Sequence, residues 1–81
     1  MNYRLWRDTT MEAHLDALPE AARLQLTLAL FDVIEDPVNQ TEPWGIDDGR
    51  HRILLRPLVT ARLSVNHEKR TLHMYGIELR D

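Results

Sequence analysis

Apolar residues recur along this chain with two periods, and the changes between them outline a fold. In "NYRLWR" (2–7), Tyr3 and Leu5 alternate against Arg4, Trp6 and Arg7, which predicts a first strand. Thr9 stands three residues before Glu12, the spacing of a capping box that occupies free backbone N–H groups at a helix start. Met11, Leu15 and Leu18 follow at i, i+4 and i+7, giving a short amphipathic helix. Pro19 fits the first turn of a second helix, and "PEAARLQLTLALFDVIEDP" carries good helix formers until Asp36-Pro37 stops it. Leu24, Leu26, Leu28 and Leu30 also alternate as a strand would; the length, the proline-led start and the alanines decide for helix. That helix is apolar on more than one side, with Leu24, Leu28 and Phe31 on one stripe and Leu26, Leu30 and Val33 on another. Burial between a sheet and the first helix would explain this, and so would a partner surface.

"DPVNQTEPWGIDDG" (36–49) is rich in proline, glycine and asparagine and reads as a long loop. Three strand-like segments follow at 50–56, 59–65 and 71–79, with "NHEKR" (66–70) as a polar hairpin turn. The order β-α-α-β-β-β predicts an α+β domain, two N-terminal helices packed on a mostly antiparallel four-stranded sheet, with residues 1–81 forming one domain.

Composition adds limits. With 43% hydrophobic and 28% charged residues, the chain belongs with folded rather than disordered sequences. It has no cysteine, which excludes disulfides and thiolate metal sites, and no apolar run near the ~20 residues that span a bilayer. Charge appears in "MNYRLWRDTT" before any hydrophobic stretch, so a cytoplasmic protein with no membrane partner is expected. The net charge of −3 conceals a polarity: residues 1–48 hold three arginines against ten acids, and residues 49–81 hold seven bases against three acids. A locally positive surface can attract phosphates even on an acidic protein.

The densest basic segment is "DGRHRILLR" (48–56). As a strand it sends Arg50, Arg52, Leu54 and Arg56 to one face and His51, Ile53 and Leu55 to the other, which is read as the core face. In 59–65, Val59, Ala61, Leu63 and Val65 oppose Thr60, Arg62 and Ser64, so Arg62 can lie beside the basic face of its neighbour. Guanidinium groups bind phosphate oxygens in pairs and stabilise charge developing in phosphoryl transfer. A solvated basic strand that discourages aggregation is the plainer explanation. A base or acid would have to come from His51, which parity puts on the core side, from His73, Tyr75 or a carboxylate; His73 and Tyr75 share a face of the last strand, as a proton donor and acceptor or as ordinary packing with polar tips in water. His67 reads as a solvated turn residue, and Trp6 and Trp44 as core or rim rather than base-stacking platforms. No metal-ligand spacing, phosphate-binding glycine loop or nucleophile elbow is present, so no cofactor or metal is expected.

A first strand, two helices ending in "EDP", a loop closing on a glycine, a basic strand, a strand with a central arginine, a charged hairpin and a last strand ending in arginine resemble the RelE/ParE toxin superfamily of toxin–antitoxin systems over nearly the whole chain. The resemblance implies that Arg52 and Arg56 belong to the family's basic strand, that Arg62 is the arginine of its "Y-R" element, and that Arg80 is the arginine after the last strand. In the ribonuclease branch such residues cut mRNA in the ribosomal A site without metal, activating the 2′-hydroxyl and stabilising the crowded phosphate. By that likeness Arg52, Arg56, Arg62 and Arg80 are the catalytic set, with Arg50, His73 and Tyr75 contacting RNA. The implied partners are an antitoxin encoded by an adjacent gene and mRNA on the ribosome. Leu54 stands where a basic residue is frequent, Ala61 where the tyrosine is usual, and Glu78 where a glycine precedes the final arginine. A second reading is therefore a non-catalytic member, either a ParE-like inhibitor of DNA gyrase or an inactive homologue that binds a protein partner through 19–35 and 36–49.

Overall fold

The computed structural model describes residues 2–80. Strand β1 (Arg4–Leu5) leads into α1 (Thr9–Ala17), α2 (Glu20–Glu35) and the single-turn helix α3 (Pro37–Gln40). Strand β2 (Glu42–Pro43) then precedes β3 (His51–Leu55), β4 (Val59–Asn66) and β5 (Thr71–Leu79). The sheet order is β1-β5-β4-β3-β2, with β1 parallel to β5 and every other pair antiparallel. The α+β class agrees with the sequence pattern. The expected loop 36–49 differs, because Pro37 opens a helical turn and Glu42–Pro43 adds a fifth, edge strand against Ile53 and Arg52.

Helix α1 begins one residue earlier than its capping-box spacing suggests. Asp8 is the N-cap: its carboxylate accepts from the Met11 N–H at 3.1 Å, while Glu12 is taken up by Arg7 at 3.0 Å. Both helices cover one face of the sheet. Ala22, Leu26, Ala29, Leu30 and Val33 of α2 meet Leu54, Val59, Ala61, Leu63, Val65, Leu72 and Met74 in the core, and Met11, Leu15 and Leu18 of α1 pack at its margin. The other stripe of α2 stays in solvent, with Leu24 57%, Leu28 57% and Phe31 61% exposed. Burial between layers therefore accounts for one stripe only.

The face assignment of β3 is the reverse of the one expected. Arg52 and Leu54 are buried on the helix side, whereas His51 and Leu55 are exposed and Ile53 is half-buried on the open side. The physical reason lies in the segment after α2. Arg52 Nε donates to Thr41 Oγ1 at 2.9 Å, and Nη2 donates to the carbonyls of Val38 and Thr41 at 2.9 and 2.8 Å. Asp47 lies 3.4 Å from Nη1. With its donors satisfied, a guanidinium can occupy a core position that alternation alone assigns to an apolar residue.

Candidate functional site

With the helices on one side, the opposite face of β3, β4 and β5 is left open, and its side chains stand in rows set by the register. One row is Ile53–Arg62–Gly76, and the next is His51–Ser64–His73. Between Leu63 and Arg62 the partner strand carries an extra residue: Leu63 faces Met74, Arg62 faces Gly76, and Tyr75 is the bulge. The bulge turns Ile77 toward the core margin and leaves Tyr75 beside Arg62, with the guanidinium carbon 5.8 Å from the ring centroid. Gly76 has a steric role here. A Cβ on it would stand 2.5 Å from Arg62 Nε and Nη2, so the guanidinium lies across the position a side chain would fill. Trp44, Ile53, Thr60 and Glu78 complete a small depression around Arg62, with Glu78 3.8 Å from Nη2. That ion pair is solvent-exposed and weak, so it leaves the cation available.

The row above lies in a groove of about 520 Å³ that is also lined by Trp6, Arg50 and Lys69. Each histidine leans on a carboxylate: His51 Nδ1 is 2.9 Å from Asp48 Oδ2, and His73 Nε2 is 2.9 Å from Asp8 Oδ2. The His51 and Arg50 backbone N–H groups, followed by the His51 ring, hold the Asp48 carboxyl far below the usual carboxylate range. The His73 ring, and then the Met11 N–H, lower Asp8 in the same way. Tyr75 is within reach of His73, with ring centroids 6.4 Å apart.

The residues singled out in the sequence do not share one cavity. Arg62, His73 and Tyr75 are on the open face, and Arg50 is at its upper end beside His51. Arg56 and Arg80 are together at the opposite end, where Arg80 Nη1 donates to the Arg56 carbonyl at 3.1 Å. Arg52 is 4% exposed on the helix side. His67 is an exposed turn residue as expected, and it is also engaged: its Nε2–H donates to the Gly49 carbonyl at 2.7 Å, which leaves Nδ1 to accept from the Tyr3 hydroxyl at 2.8 Å. Sequence reasoning missed Ser64, Lys69 and the two aspartates; it considered His51 as an acid or base but assigned it to the core face, the parity that buried Arg52 reverses. The Asp48-to-His51 spacing was visible as an Asx-turn signal. Asp8 and His73 are 65 residues apart, and only the fold joins them.

No protein-family model matches the chain, and no curated protein matches it. Among solved structures, it is similar to a chain of the toxin–antitoxin complex RelBE2 from Mycobacterium tuberculosis. The TM-score is 0.84 at 17% identity, over 99% of this chain and 100% of that one. The fold is RelE-like. At that identity the likeness is one of backbone architecture, and the RelE-like sheet here presents its own set of side chains on the open face.

Proposed function

We propose that the chain is the toxin of a toxin–antitoxin pair and that the open face of its sheet binds and cuts mRNA on the ribosome. The observation that carries this reading is the setting of Arg62: a cation stacked on Tyr75, over a glycine, at the centre of an uncovered RelE-like sheet. In that setting a guanidinium can grip a phosphate with two parallel N–H groups and stabilise the charge that builds as the 2′-oxygen attacks. Arg50 and His73 extend the contact surface along the strands. Arg56 and Arg80 add positive charge at the other end, and Arg52 positions β3 by fastening it to Thr41 and Val38.

The exposed stripe Leu24, Leu28 and Phe31 supports the antitoxin part of the proposal. Beside it, Tyr3, Leu15, Leu30, Phe31 and Ile34 line an apolar groove suited to an amphipathic segment. The same surface would serve a member that only binds protein, so activity must be tested directly. Purified protein added to ribosomes programmed with a defined mRNA should cut the message in the A site. Arg62→Ala should slow the cut by about a hundredfold or more. An intact message, or equal cutting by the variant, would defeat the nuclease reading in favour of a binding protein.

A further inference from the structure

The row His51–Ser64–His73 places two imidazoles on either side of a single serine. Directly opposed side chains have Cβ atoms about 5 Å apart, so the two rings rise from points about 10 Å apart, with only a hydroxymethyl group between them. A ribose and its 3′-phosphate fit in such a gap. Each ring uses one nitrogen on its aspartate, and neither His51 Nε2 nor His73 Nδ1 makes a hydrogen bond to another described residue. Although the protein carries a net charge of −3, the groove is lined by Arg50 and Lys69, and the carboxylates next to it, Asp48 and Asp8, are each taken up by a histidine ring at 2.9 Å. Trp6, 63% exposed, forms one wall and offers a face on which a base can stack. Arg62 is two residues along β4, about 7 Å away.

We propose that His51 and His73 are the acid–base pair of an RNA cleavage centre in this groove; the inference rests on the nuclease reading above. One ring, neutral, takes the proton of the ribose 2′-hydroxyl as that oxygen bonds to the adjacent phosphorus. The bond from phosphorus to the 5′-oxygen breaks, and the other ring, protonated, gives its proton to that oxygen. The products are a 2′,3′-cyclic phosphate and a 5′-hydroxyl, and the two rings end with their protonation states exchanged. Arg50, Lys69 and Arg62 neutralise the phosphate. Asp48 and Asp8, each 2.9 Å from a ring nitrogen, are positioning residues that orient the rings, and Arg50 and Lys69 are the charged residues that line the groove with the pair.

The test uses mRNA on programmed ribosomes with the unsubstituted protein, Arg62→Ala, His51→Gln and His73→Gln, across pH 5 to 9. The unsubstituted protein should give cyclic-phosphate ends and a bell-shaped rate profile. Each glutamine variant should lose about a hundredfold or more in rate and one limb of the bell. Asp8→Asn and Asp48→Asn should lower kcat with KM unchanged while cleavage persists. If the protein and both glutamine variants cut equally well, with the same profile, while Arg62→Ala fails, the histidine pair is refuted and the nuclease reading stands. If the unsubstituted protein does not cut, both fall. As a measurement free of substitution, the ring Cε1 proton resonances of His51 and His73 should shift when a 2′-O-methyl oligoribonucleotide is added; unmoved resonances would also refute the pair.

Discussion

At the scale of single residues, Arg62 and Arg52 show how one side-chain type serves opposite purposes. Arg62 lies flat on an open sheet face, held only by a weak exposed pair with Glu78 and by Tyr75, because Gly76 leaves room for it, so Gly76→Ala should push the guanidinium off the sheet. The colliding atoms belong to the mobile end of a long side chain. Stability should therefore change by less than about 1 kcal/mol, while RNA cleavage falls toward the level of Arg62→Ala. Comparing urea midpoints with cleavage rates checks both halves of that expectation. Arg52 is the reverse case. Removing it strips a partner from Thr41 Oγ1, from the buried Thr41 carbonyl and from the part-buried Val38 carbonyl, and Arg52→Ala should cost about 3 kcal/mol, read as a lower urea midpoint. Sequence alone could list these arginines and could not separate them, since their fates depend on Thr41 and Gly76, which come from elsewhere in the chain.

At the scale of elements, the helices and the three long strands were legible because their periods are strong and their ends carry proline, glycine or polar turns. The faces were less so. On β4, uninterrupted alternation of Val59, Ala61, Leu63 and Val65 read correctly, whereas on β3 a buried arginine reversed the parity. Turn chemistry supplies two expectations. Arg70 sits at φ 53° in the β4–β5 turn, a left-handed conformation that strains a side chain. Arg70→Gly should accordingly raise stability by about 0.5–1 kcal/mol, seen as a higher urea midpoint at unchanged slope. Asp8 caps α1 and Asp48 closes the turn into β3, and both carboxyls titrate below their ordinary range in the folded protein. The unfolded chain thus takes up protons first. Their stabilisation is present above about pH 4 and is lost as pH falls further. Urea midpoints should drop below that pH, and the drop should be shallower in Asp8→Asn/Asp48→Asn, since asparagine keeps the capping acceptor without titrating.

At the scale of the molecule, the protein has two unlike surfaces: an apolar stripe on α2 and a polar open sheet face with Arg62 near its centre and Arg50 and Lys69 at one end. The sequence carried both signals, in a helix with leucines on more than one side and in the basic second half. It did not show that they fall on opposite layers. Because Phe31 is exposed, Phe31→Asp should leave thermal stability unchanged while abolishing co-purification with the proposed antitoxin. Central to the account is that RNA lies on the open face. Backbone amide and histidine resonances followed during titration with a 2′-O-methyl oligoribonucleotide test this most directly. The account predicts shifts at Arg50, His51, Arg62, Ser64, His73 and Tyr75 that weaken steeply as salt rises. Shifts gathered instead around Leu24, Leu28 and Phe31, or none at any salt concentration, would contradict it.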